Sequence, residues 1–182
     1  MIYSNFTCTK YIAVQSGTSN GTKDGVLGNA TPTELCRFIN GEIYHATAIL
    51  GQIRTGMDDF KEEMKRWQQI LFQCGGDLYI TNDFNVTGKE VTFLKEWLSR
   101  LESIVKQPKN FVLPSGHPLN PLFHQISALV TQGERWFVQA SKLTPLSDGV
   151  RTVLYLSSQI AFLLSLYVNE EYGYDHEYVY EE

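Results

Sequence analysis

From Pro32 onward, apolar residues recur at spacings of three and four with hardly a break, and this period more than anything else limits what the chain can become. Thr33 can cap a first helix starting near Glu34, with Leu35, Phe38, Ile39, Ile43, Ala46, Ile49, Leu50 and Ile53 inward and Gly56 as a stop. A second helix is expected from about Asp58, its stripe formed by Phe60, Met64, Trp67, Leu71, Cys74 and Leu78. The third begins around Gly88, carries Val91, Leu94, Trp97, Leu98, Leu101, Ile104 and Val105, and ends at Pro108. After the breaker-rich link Pro114-Ser115-Gly116-His117-Pro118, a fourth covers about Pro121 to Lys142 with Leu122, Ile126, Val130, Phe137 and Ala140 inward. The fifth runs from about Ser147 to Glu171 through Val150, Val153, Leu154, Ile160, Leu164, Tyr167 and Val168. Five amphipathic helices and no convincing strand predict an all-α, five-helix up-and-down bundle.

Around that bundle the chain divides into three parts. Residues 1–33 are rich in Gly, Ser, Thr and Asn, and Ser16 to Thr22 reads as loop. Residues 34–172 form the helical bundle, and 173–182 an acidic, aromatic tail expected to be loosely held. The 182 residues suit one domain. Ile70, Phe72, Phe162 and Leu163 lie beyond single stripes, as expected either of an oligomer or of a thick core.

Charge and cysteine usage remove several functions. A net charge of -5, with Lys61, Lys65 and Arg66 diluted by Glu62 and Glu63, argues against nucleic acid. Cys8, Cys36 and Cys74 are odd in number and widely spaced, which suits a reducing, cytoplasmic setting. His45, His117, His124 and His176 never pair at i, i+4, so no metal site is expected. The run Val153 to Val168 is interrupted by Ser157, Ser158, Gln159 and Ser165, and is too short and polar for a membrane span. No nucleotide P-loop, nucleophile elbow or zinc-protease helix is present.

The order Phe111-Val112-Leu113-Pro114-Ser115-Gly116, then His124, then Glu134-Arg135 resembles the propanediol-utilisation-type ATP:cob(I)alamin adenosyltransferases. There an F-x-L-P-x-G turn precedes a helix with H and then R-x-x-x-R-R-x-E-R, and a last helix holds Y-L-N-R-L-S-D-x-L-F. Tyr155-Leu156 and Phe162-Leu163 take similar places, Glu34-Leu35 resembles the end of a D-E-L, and Leu71 to Leu78 resembles an L-x-x-x-G-x-x-L segment. The resemblance covers about residues 28–172. It implies a ferritin-like homotrimer with small-molecule sites between subunits. The implied cofactors are cobalamin and ATP with Mg²⁺, the 5′-deoxyadenosyl group passing from ATP to cob(I)alamin.

Carried over residue by residue, Phe111 matches the aromatic against the lower corrin face, a role for which a simple plug of the bundle end is the alternative. Glu134 and Arg135 match a pair near the nucleotide, where an exposed surface pair is the other reading. Gly17 and Thr22 echo the nucleotide loop T-G-D-x-G-x-T, whose acid is replaced by Thr18 and whose following cations leave only Lys23. The helix arginines fall on Ser127, Thr131 and Gln132, and their acidic partner on Thr33. The final helix's N-R and S-D fall on Ser157-Ser158 and Ile160-Ala161. A polyphosphate needs cations and amide donors because charge grows on its leaving oxygens. The expectation is therefore a relative that binds a corrinoid, nucleotide or related ligand, with adenosyl transfer lost or much reduced. Two readings stand beside it. One is an active enzyme whose missing groups come from Lys23, Arg37, Arg54 or Arg151; the other is a non-catalytic helical interaction module with an accidental likeness.

Overall fold

The computed structural model describes residues 30–180, and Gly17, Thr22, Lys23 and Cys8 lie outside them. Its helices are α1 (Pro32–Gly56), α2 (Lys61–Asp77), α3 (Gly88–Ile104), α4 (Asn120–Ala140) and α5 (Asp148–Glu171). Among the described residues the only β pairing is one isolated antiparallel bridge, Val112 with Tyr178. Cross-helix contacts fix the directions. Gly51 and Asn40 of α1 meet Gln68 and Gly75 of α2, Glu63 and Arg66 of α2 meet Arg100 and Glu90 of α3, Phe38 and Glu42 of α1 meet Trp136 and Gly133 of α4, and Asn120 and Glu134 of α4 meet Ser165 and Arg151 of α5. The five helices therefore alternate in direction around α5, which packs on α4, α3 and α2.

Helix ends follow local chemistry, with three shifts from the expected positions. Thr31, not Thr33, caps α1: its hydroxyl accepts from the Glu34 N–H, and Glu34 accepts the Thr31 N–H at 2.8 Å. The reason is Pro32, which suits the first helical position and so moves the cap back. The helix α2 begins at Lys61 because Phe60 adopts a left-handed backbone (φ 55°). That turn tucks the Phe60 ring edge-on against Tyr167, centroids 5.0 Å apart, which offsets the strain of a bulky residue at positive φ. The third shift is at α3, which stops at Ile104, before Pro108 acts. At its start, Thr87 and Glu90 form a second capping box.

Most expected core positions are buried, but Phe38 and Ile104 are about half exposed, and Phe123, not Leu122, is the fully buried residue of its turn. Phe38 lies against Trp136 at the α1–α4 surface instead. Of the residues beyond single stripes, Ile70, Phe162 and Leu163 are buried within this chain and Phe72 is exposed. The helix α5 is covered on nearly every side because no charge falls between Arg151 and Glu170. At 24 residues it is long and apolar enough to cross a membrane, contrary to the expectation from Val153 to Val168. However, 83% of its most apolar window is buried in the protein, as befits a core helix.

The described part of the tail, up to Tyr180, is bonded to the loop before α4, not left loose. Val179 N–H donates to the Phe111 carbonyl and Leu113 N–H to that of Glu177, each at 2.8 Å, so 177–179 lies antiparallel to 111–113. Alternation of aromatic and acidic residues, read as fraying, instead places Tyr178 against the core and leaves its neighbours exposed.

Candidate functional site at the α4–α5 seam

Several of the positions singled out on α4 and α5 meet along one antiparallel seam. At the end where Phe111 sits, Asn120 Nδ2 donates to the Ser165 carbonyl at 2.8 Å. Next along, the His124 ring meets Phe162 edge-on at 5.9 Å. Then Ser127 Oγ donates to the Ser158 carbonyl at 3.1 Å. Towards the opposite end Glu134 faces Arg151, with Oε1 and Nε 3.6 Å apart.

Phe111 is half-buried in the loop before α4, packed against the core. Glu134 and Arg135 are on the far side of the same helix, since the rise from Asn120 to Glu134 is about 21 Å. Within one chain the structure does not bring Phe111 and the Glu134–Arg135 pair together. The two acid–base neighbours also differ. Glu134 is largely buried, and desolvation raises its pKa while Arg151 and Arg135 pull it back. Arg135 is exposed, with Gln132 Oε1 3.4 Å from its Nη1.

Where the resemblance places arginines, this chain has groups that serve its own packing. Ser127 is tied to the α5 backbone, and Thr131 and Ser158 are 6% and 3% exposed; Ser157, at the place of the asparagine beside them, accepts from Trp67 Nε1 at 2.8 Å. Ile160 and Ala161 are fully buried, so they seal the core of this chain. Glu34, the one acid left of the D-E-L, is engaged by the Thr31 cap, whose N–H and hydroxyl hold its pKa down. Among the described residues, no three His, Cys, Asp or Glu side chains cluster as a metal site.

His124 is the seam's most perturbed group. Burial lowers its pKa from 6.5 to about 4, and Nε2 is buried without a hydrogen-bond partner. It is neutral at pH 7. A histidine with a depressed folded pKa binds fewer protons than the unfolded chain, so its contribution to stability is lost as pH falls through 6.5 towards 4. The variant His124→Leu is expected to lose less stability than the parent between pH 6.5 and 4, read from urea unfolding at a series of pH values. An unchanged pH profile would show that another group governs that window.

Comparison with known proteins decides the family. The cobalamin adenosyltransferase family model matches residues 33–168, which is most of the chain and all but the ends of the bundle. The chain belongs to the cobalamin adenosyltransferase family. It is 27% identical over 166 residues to a corrinoid adenosyltransferase from Bacillus subtilis, covering 86% of each chain. To a cobalamin adenosyltransferase from Cupriavidus metallidurans it is 23% identical over 165 residues, covering 89% of this chain and 90% of that one. Among solved structures, a single-residue variant of a PduO-type ATP:corrinoid adenosyltransferase from Lactobacillus reuteri, complexed with cobalamin and ATP, superposes with a TM-score of 0.73. Identity there is 19%, over 82% of this chain and 86% of the other. Another variant of that enzyme, complexed with ATP, gives the same TM-score at 19% identity over 86% and 94%. The five-helix fold is thus shared, and the likeness read from scattered motifs is not accidental.

Signals for two features were missed in the sequence. The uncharged run 152–169 marks α5 as central, and Thr87 with Glu90 three residues on marks the α3 cap.

Proposed function

We propose that this family member binds a corrinoid at a subunit boundary of a homotrimer, with Phe111 against the lower corrin face, and that adenosyl transfer from ATP is lost or much reduced. One observation carries the reading: the seam positions matched to cationic and polar groups hold Ser127, Thr131, Ile160 and Ala161, three of them buried and Ser127 bonded to α5. The chemistry of the corrinoid end suits a large, mostly apolar ring. Phe111 is half-buried at that end, and neutral His124 adds no charge nearby. The seam itself gives a polyphosphate few free donors among the described residues. The hydroxyls of Ser127 and Ser157 are already bonded within the bundle, and Arg151 already faces Glu134.

When bound, a corrinoid supplies cobalt as the acceptor of a carbon group. The chain's own contribution is to exclude water from the lower face through Phe111 and to hold the surrounding loop in place. The test is an absorbance titration with cobalamin, with and without ATP. The expected result is a spectral change on adding cobalamin that ATP leaves unaltered, and about tenfold weaker binding for Phe111→Ala. A spectrum unmoved by cobalamin, or an affinity strongly raised by ATP, would overturn the reading. The second reading, retained transfer, is favoured by Arg151, whose side chain is 56% exposed beside Glu134 and could turn towards an anion.

A further inference from the structure

We infer that Asn169 and the tail residues 177–179 act as a positioning strap that fixes the Phe111 loop for the corrinoid. Asn169 is 1% exposed at the end of α5, and its carboxamide bonds the loop on both sides of Gly116. Oδ1 accepts the His117 N–H at 2.9 Å, and Nδ2 donates to the Ser115 carbonyl at 3.0 Å. The approach is so close that a Cβ on Gly116 (φ +91°) would lie 2.7 Å from the Asn169 amide. Glycine is needed there for both its backbone conformation and its lack of a side chain. The Asn169 carbonyl also accepts the Tyr174 N–H at 2.8 Å, so one residue joins loop and tail.

From that junction the tail returns along the loop. Tyr172 stacks on the His117 ring, centroids 4.5 Å apart and planes 14° apart. Val179 N–H then holds the Phe111 carbonyl, Glu177 accepts from Leu113, and the Tyr180 carbonyl accepts from Asn110 Nδ2. Hydrogen bonds thus grip the residue before Phe111, Phe111 itself and Leu113. Residues 169–180 lie beyond the stretch that the family model matches. The ring of Phe111 can present one fixed face to a ligand only while its backbone is held, and a loop ordered beforehand loses less entropy on binding.

This inference rests on the reading of Phe111 as a corrinoid contact, and the experiment separates the two. Full-length Val179→Pro removes the N–H that holds Phe111 while altering a half-exposed side chain. Cobalamin affinity is measured by absorbance titration, and amide exchange at Leu113 and His117 is measured without cobalamin. For Val179→Pro, exchange at Leu113 is expected to accelerate, cobalamin to bind about tenfold more weakly, and the thermal midpoint to move by less than about 3 °C. Asn169→Ala is expected to accelerate exchange at His117 and weaken binding at least as much, with Asn169→Asp recovering the His117 protection in part because it keeps the acceptor. Faster exchange with unchanged affinity would overturn the strap while leaving the Phe111 reading intact. Unchanged exchange in Val179→Pro would also overturn it. Unchanged affinity in Phe111→Ala would remove the reading on which it stands.

Discussion

Given cobalamin, ATP and a reductant, the chain is expected to form adenosylcobalamin at least about a hundredfold more slowly than the corrinoid adenosyltransferase of Bacillus subtilis. The departing triphosphate gains charge in the transition state, and one missing donor at such a site costs about 3 kcal/mol, a hundredfold to a thousandfold in rate. Ser127, Thr131 and Gln132 stand where the resemblance places arginines, and Ile160 and Ala161 where it places a polar pair. Such losses do not add simply, so the stated deficit is a floor set by one of them. The measurement is the cobalamin spectrum followed beside the Bacillus enzyme under identical conditions. A rate within tenfold of that enzyme would sink the proposal. Arg151→Gln would then test the substitute cation, since Arg151 is an exposed base facing Glu134.

The largest loss of stability is expected from Trp67→Ala, about 4 kcal/mol in urea unfolding, or roughly 10 °C in the thermal midpoint. Trp67 has no exposure and meets Trp97 edge-on at 5.7 Å, so truncation opens a cavity between α2, α3 and α5. It also takes away the donor that Ser157 Oγ accepts at 2.8 Å in the middle of α5. Trp67→Phe keeps a six-membered ring but removes the rest of the indole with its N–H, for which about 2 kcal/mol is expected. A loss below about 1.5 kcal/mol for the alanine variant would show that neighbouring side chains collapse into the space. Ser157 takes the place of the family's helix asparagine, so the comparison also measures how firmly that position is committed to the core.

Much of the bundle could be read directly, and the limits of that reading are specific. The α3 stripe Leu94, Trp97, Leu98 and Leu101 was read correctly because a helix facing one core obeys a single period. Phe38 and Ile104 satisfy the same spacing yet lie at its edge, where the stripe is wider than the contact. On α5 periodicity gave the helix and its inward residues but not the burial of its other faces, because a helix covered all round has no polar face to set a phase. For the candidate site, the motifs gave the positions of Phe111 and Glu134 but not their separation along α4. They also gave no sign that Ser127 and Ser157 had found partners inside the bundle.

By itself the sequence determined five helices, with their approximate bounds, and membership suggested by ordered motifs. These rest on residues a few positions apart, where backbone geometry couples neighbours directly. Tertiary structure alone decided that Asn169 grips a loop 52 residues upstream and that the tail pairs with Phe111. It also decided that Ser127, Thr131 and Ser158, at positions matched to arginines, were absorbed into packing. Those outcomes depend on which groups meet after the helices dock, and a polar side chain without a local partner gives no hint of its distant one.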